Sequence, residues 1–457
     1  MSEFDGSLDA SANAWYPEAI HELRHISQRL GLPAVEAKQH VLPSPTALQC
    51  SHYLTAISCP RTQSYALALI RDDAIGSPSS SSSNASKRLR QHDKKSRKKK
   101  ATLEPLFVDL CPPSNSRLGY RVRRSSADNR KNGGGGGEEL LLKALGIKKM
   151  LTGKKNNRAD NGSGTQTQQP PLVVYDLTAG WARDSLVILA SFLSALENSE
   201  ARRDDDTEKD VAEPNTRVPR LHMVERDPIV SVLLSDAMRR LRLLAEGSAS
   251  SERQDMNTAQ QLLRCLSMEQ GDGVSVIDRA MSNAASSCAD GSKLPRPPTL
   301  SEAKDMPGLP DVIYLDPMFP PRKKTSAAVK KDMATLQSLL ASTARMRLLR
   351  DEREYEDVPS ASSSPRPAPS ASVQRNEEAS RLEEEQALLR AACRCAAKRV
   401  VVKRPVRAPP MGSSTSDNDN NGKDERQRSV GGGDANVPKP SYALRGSTNR
   451  FDVYVIS

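Results

Sequence analysis

The sequence predicts an α/β fold built on a mostly parallel, doubly wound sheet. Three observations carry the prediction. PLVVYDL (171–177), DVIYLDP (311–317) and KRVVVKRP (398–405) are apolar runs that do not alternate, as strands buried on both faces require. Segments of helical period stand between the strand-like runs. Acidic and glycine-bearing turns follow those runs, and in such sheets ligands bind beyond the carboxyl ends of the strands.

Taken in order, Ile20–Leu30 has helical spacing and Tyr65–Ile70 (YALALI) reads as a strand. Residues 77–102 are polyserine followed by a basic tract, and Phe107–Leu110 reads as a short strand. After Gly133–Gly137, EELLLKAL forms a helix that Gly146 stops. SLVILASFLSAL follows the first buried strand as a helix. LHMVE is the next strand, and Asp227-Pro228 supplies an N-cap and a proline at the first helical position. LSMEQGD (266–272) is a weaker strand, and RFDVYVI is the last one. The expected organisation is a small N-terminal region over 15–150, with the low-complexity insert 77–102, and a main domain over 171–457. Disordered inserts are expected near 197–218, 282–310, 351–376 and 411–440.

Composition fits a chain with much sequence outside its core. Of 457 residues, 37% are apolar and 4% aromatic, below the ~45–50% apolar share of compact domains. No apolar run approaches the ~20 residues of a membrane span. The first residues lack the basic start and apolar stretch of a secretory signal. A soluble intracellular protein is expected, with cytoplasm, organelle and nucleus all open. Seven scattered cysteines without a CxxC pair read as reduced thiols, and no metal site is expected. The net charge of +11 is concentrated in Lys87–Lys100, where nine basic residues face one aspartate. Such a tract suits a solvated linker, a nuclear signal or a phosphate tether.

The strand ends carry the chemistry. DLTAGWARD (176–184) follows the first buried strand, Glu225-Arg226 the second, Gly271-Asp272-Gly273 the third and Asp316-Pro-Met-Phe-Pro320 the fourth. A carboxylate at Glu225 can accept both hydroxyls of a ribose. It lies 45 positions after Gly180, against ~20 in a compact nucleotide-binding unit. Setting aside the polar stretch 197–218 restores that spacing. A GxGxxG loop is absent, so an adenosyl ligand without phosphates fits better than a dinucleotide. Asp316 and the Pro317 carbonyl can accept the two hydrogens of an exocyclic amine while Phe319 stacks on the ring. These four turns point to an S-adenosyl-L-methionine methyltransferase.

With those residues in view, the chain resembles the RsmJ-type family of small-subunit (16S) ribosomal RNA guanine-N2 methyltransferases. The stretches that carry the likeness are ADNRKNGGGGGEELLLKALGIK (127–148), DLTAGWARD, VERDP, VIYLDPMFPPRKKTSAAVKKDMATLQSLL (312–340), KRVVVKRPVRAPP and NRFDVY. The resemblance implies a class I S-adenosylmethionine-dependent methyltransferase fold, Rossmann-like, with a small N-terminal region and long insertions. It implies cofactor contacts at Arg183, Asp184, Glu225, Arg226, Asp272, Gly273 and Asp316, and methyl transfer at Asp316, Pro317 and Phe319. Lys330, Lys331, Lys403 and Arg404 are the candidates for substrate RNA, the last two for substrate phosphate or cofactor-side contacts, and small-subunit ribosomal RNA or the ribosomal subunit is the implied partner. The chain departs from the family at Ala182, which stands where glycine is usual, at Asn132 in place of an aromatic, and at a glycine in place of arginine in the 133–137 loop. Two other readings stay open: methylation of another RNA, DNA or a protein amide, and a non-catalytic RNA-binding assembly factor on the same scaffold.

Overall fold

The computed structural model describes residues 16–30, 52–59, 61–71, 106–112, 139–152, 171–201, 218–247, 253–289, 309–317, 371–411 and 438–456. The elements are α1 (Tyr16–Leu30), β1 (His52–Cys59), β2 (Ser64–Arg71), α2 (Leu140–Leu145), α3 (Ile147–Thr152), β3 (Val173–Asp176), α4 (Arg183–Ala201), β4 (Arg220–Glu225) and α5 (Pro228–Ala245). There follow α6 (Arg253–Cys265), β5 (Leu266–Gln270), α7 (Gly273–Ala289), β6 (Val312–Leu315), α8 (Ala371–Cys395), β7 (Arg399–Pro405), β8 (Tyr442–Arg445) and β9 (Asn449–Val455).

Seven strands form one sheet in the order β5-β4-β3-β6-β7-β9-β8. The first five are parallel, and β9 runs antiparallel to both β7 and β8. All four residues of β3 and of β6 are buried, which is why their sequences are apolar without alternation. One face packs Val174, Tyr314, Val401 and Val453 against α2, α4, α5 and α6. The other packs Tyr175, Ile313, Val400 and Tyr454 against α7 and α8. The sheet is therefore doubly wound, and its order reverses between β3 and β6. The crevice expected of such a reversal lies beyond the carboxyl ends of those two strands.

The N-terminal hairpin β1–β2 docks on α5. A two-stranded hairpin is marginal alone, and here a buried carboxylate fastens it. The Leu67 N–H donates to Asp236 Oδ2 at 2.9 Å. Arg239 donates to the Tyr65 carbonyl at 2.6 Å, and its guanidinium lies 3.9 Å over the Tyr65 ring. Arg240 completes the cluster, donating to Asp236 Oδ2 at 2.9 Å.

Several sequence expectations shift. Phe107–Leu110 is not a strand: only Leu106 pairs, in an isolated bridge to Leu69. Gly146 does stop α2, in the left-handed conformation, but the chain resumes at once as α3. Helix α4 runs to Ala201 and α7 to Ala289, into the polar stretches expected to be loose from 197 and 282, and α8 begins at Ala371 inside the one ending at 376. The N-cap at Asp227 stands as read, its side chain accepting from the Ile229 and Val230 N–H groups. The tract 77–102 and Gly133–Gly137 lie outside the described residues. Cys59, Cys111, Cys265, Cys393 and Cys395 carry free thiols.

Candidate active site

Strand register assembles the site. Asp176 of β3 pairs with Tyr314 of β6, and Tyr314 in turn with Val401 of β7. Two residues further along each strand the same face therefore carries Thr178, Asp316 and Lys403 side by side. Thr178 Oγ1 accepts the Asp316 N–H at 2.6 Å, tying the two strand-end turns together. Lys403 Nζ lies 2.7 Å from Asp316 Oδ2 and 2.6 Å from Asp184 Oδ2 in the first turn of α4. The Tyr314 hydroxyl donates to the same Asp184 oxygen at 2.6 Å.

These groups are largely withdrawn from water, and their charges respond to that. Burial pushes the Asp176 carboxyl up to about 7, although the Ser185 hydroxyl and the Thr178 N–H donate to it. Burial also works against the charge on Lys403, but the carboxylates of Asp316 and Asp184 outweigh it and hold the ammonium above its ordinary value. Tyr314, fully buried beside the same carboxylates, is held far above the usual phenol range.

The turn after β3 is conformationally demanding. Gly180 and Ala182 both have positive φ, +49° and +53°. Only glycine adopts that region without cost, so an alanine at 182 carries strain of about 1–2 kcal/mol. Glu225 holds this turn against β4: its Oε2 accepts the Gly180 N–H at 2.8 Å, and its Oε1 accepts the Asp227 N–H at 2.7 Å. Its carboxyl is raised by burial, with the two amides opposing.

The other expected site residues fall in varied surroundings. Arg183 opens α4 and is half-buried. Pro317 follows Asp316, half-buried, at the end of β6. Arg226 is exposed and pairs with Glu384 of α8 at 3.1 Å. Asp272 caps α7, accepting the Val274 and Ser275 N–H groups, each at 3.1 Å. Gly273 is a packing position: a Cβ there would meet Leu388 Cδ1 at 2.9 Å. Arg404 corrects the sequence reading. It points to the opposite face from Lys403 and is 5% exposed, donating to Glu385 and to the Pro409 carbonyl, each at 3.2 Å. A buried guanidinium so engaged is not presented for a phosphate. Phe319, Lys330 and Lys331 lie outside the described residues.

Sequence reasoning passed over Asp176, Thr178 and Tyr314 as site residues. The signal was available for Tyr314, which precedes Asp316 by two positions on one strand and so shares its face. Among the described residues no group of three or more His, Cys, Asp or Glu side chains could hold a metal ion. Also among them, no helix is long and apolar enough to cross a membrane.

The acceptor set suits a cationic nucleoside. Carboxylates stand at or just after the ends of β4, β5 and β6, at Glu225, Asp272 and Asp316, where they can accept hydroxyl and amine donors and repel phosphate. The family model described as "Putative SAM-dependent methyltransferase" matches residues 293–352, which include β6 and Asp316. Curated relatives described as ribosomal RNA small subunit methyltransferase J match more of the chain. The one from Pseudoalteromonas atlantica is 29% identical over 238 residues, 52% of this chain and 55% of the relative. That from Erwinia tasmaniensis is 26% identical over 283 residues, 62% of this chain and 72% of the relative. That from Aeromonas salmonicida is 32% identical over 160 residues, 35% of this chain and 39% of the relative. The chain spans about half the length of the first of these relatives. The crystal structure of a SAM-dependent methyltransferase from Neisseria gonorrhoeae aligns at 17% identity with a TM-score of 0.37, over 95% of this chain and 91% of that one.

Proposed function

We propose that this chain, which is related to the RsmJ-type family, uses S-adenosylmethionine to methylate small-subunit ribosomal RNA, at the N2 amine of a guanine. The observation that carries the reading is the Asp316–Lys403–Asp184 cluster at the switch point of the sheet, beside the Glu225-braced turn. S-adenosylmethionine, when bound, supplies an electrophilic methyl group on a sulfonium.

The protein's part is binding and positioning. Glu225 accepts the ribose hydroxyls through lone pairs left over from its two backbone bonds. Asp272 borders the adenine side, and Arg183, Asp184 and Arg226 complete the cofactor end. An exocyclic amine is a weak nucleophile because its lone pair is delocalised into the ring. Asp316 and the Pro317 carbonyl accept its two hydrogens and aim the lone pair at the methyl carbon, while Phe319 stacks on the base. With S-adenosylmethionine bound, the methyl group would pass to the amine nitrogen, the neutral thioether would leave, and the surplus amine proton would go to water. Alignment of this kind is worth several orders of magnitude in rate. Lys330, Lys331 and the basic tract 87–100 supply sequence-independent attraction to phosphate.

Calorimetric titration with S-adenosylmethionine separates this enzyme from a non-catalytic assembly factor. Methyl transfer is then compared on small-subunit particles, naked ribosomal RNA, DNA and protein. Cofactor binding with label incorporated into small-subunit RNA is the expected result. No binding, or incorporation only into DNA or protein, would overturn the proposal.

A further inference from the structure

The sequence offers Lys403 to substrate phosphate or to cofactor-side contacts, and the structure gives it two carboxylates. Its ammonium sits 2.6 Å from Asp184 Oδ2 and 2.7 Å from Asp316 Oδ2, and its side chain is 21% exposed. The two acids come from different elements, the first turn of α4 and the end of β6. Tyr314 fixes the Asp184 oxygen from a third direction. Two carboxylates this close repel one another, and a single ammonium between them removes the repulsion and sets their orientation at once.

We propose that Lys403 is a positioning residue for methyl transfer, clamping Asp316 against Asp184 so that the amine-accepting carboxylate and the cofactor-side carboxylate keep a fixed relation. The proposal rests on the functional reading above for what Asp316 does. The clamp itself rests only on the geometry. The requirement is a long, flexible cation whose head can reach two acceptors, which lysine meets with three donors on one nitrogen. Substrate RNA then meets Asp316 already oriented, and Lys403 acts through it rather than on phosphate.

The test is a cycle of single and double variants, with methyl transfer followed on small-subunit particles under single-turnover conditions. Lys403→Met should lower the maximal rate at least tenfold, while RNA affinity and its salt dependence stay within about twofold of wild type. Lys403→Arg, which keeps a cation able to bridge two carboxylates, should recover at least a third of the loss on a logarithmic scale. In an Asp316→Asn background, Lys403→Met should cost less than about threefold more, because two residues acting as a unit are not additive. A full tenfold further loss in that background would overturn the clamp, as would a Lys403→Met variant that loses RNA affinity but not maximal rate.

A second measurement needs no substrate and stands if Lys403→Met fails to fold. With an amine-reactive reagent and mass spectrometry, Lys403 should label at least tenfold more slowly than the exposed Lys439 in wild-type protein. It should label faster in Asp316→Asn than in wild type. Equal labelling of Lys403 and Lys439 overturns the clamp whatever the activity. A wild-type chain that clamps Lys403 but methylates no RNA overturns the functional reading instead.

Discussion

Glu225→Ala tests whether one carboxylate serves both fold and cofactor. The side chain is 7% exposed, and each oxygen accepts a backbone N–H, from Gly180 at 2.8 Å and Asp227 at 2.7 Å. A hydrogen bond to a charged acceptor contributes about 1.5–3 kcal/mol, and an abandoned buried N–H costs a similar amount. Losing both should destabilise the protein by about 3 kcal/mol or more. For a domain of this size each kcal/mol shifts the midpoint by roughly 2–4 °C, so Tm should fall by about 6–12 °C. Glu225→Gln keeps one acceptor and should recover about half of that. Cofactor affinity, read by calorimetry well below the variant's Tm, should fall at least tenfold, about 1.4 kcal/mol. A Glu225→Ala protein melting within ~2 °C of wild type would refute the structural half of this reasoning. Unchanged affinity for S-adenosylmethionine would remove Glu225 from the site.

Asp176, held near 7 in the folded protein, predicts a pH signature. A carboxyl raised on folding contributes stability that is present below its ordinary value of ~4 and lost as pH rises through the folded value. Asp176→Asn should therefore gain Tm relative to wild type as pH rises from about 4 to 7, and hold that gain above it; a pH-independent difference would contradict the shift. Ala182, with its φ of +53°, should tolerate glycine within about 1 kcal/mol, because relieved strain offsets the lost methyl contact. Valine there should cost more than ~2 kcal/mol, combining a strained backbone with overpacking. Chemical denaturation of the two variants checks this, and a Val variant as stable as the Gly one would contradict it.

The central strands were legible because burial on both faces leaves an unbroken apolar run, as in β3, β6 and β7. Edge and appended elements were not. Strand β8 has no buried residue and joins the sheet only through β9, so nothing local marks it. Helix α8 runs through a polar and charged stretch before its buried end, and α6 buries Ala259, Leu262 and Cys265 with Leu263 half-buried beside them. Strand β1 is a partner chosen by β2 and α1, a tertiary decision that local propensity does not carry. At the site, strand ends could be read, and so could the acids Glu225, Asp272 and Asp316 on them. The fates of Lys403 and Arg404 could not. Alternation sends the two to opposite faces, and their partners, Asp184 on α4 and Glu385 on α8, come from elements distant in sequence.

Methyl transfer by wild-type protein and by Asp316→Asn, followed by nucleoside analysis of the small-subunit RNA, tests the central claim most directly. The substitution keeps the side chain's shape but replaces an acceptor of amine hydrogens with a donor. The account predicts N2-methylguanosine from wild type and a rate lowered about a hundredfold in the variant, equivalent to ~2.7 kcal/mol of transition-state stabilisation. RNA affinity should stay within about threefold of wild type, since phosphate contacts dominate it. An Asp316→Asn protein that methylates guanine at the wild-type rate would contradict the account.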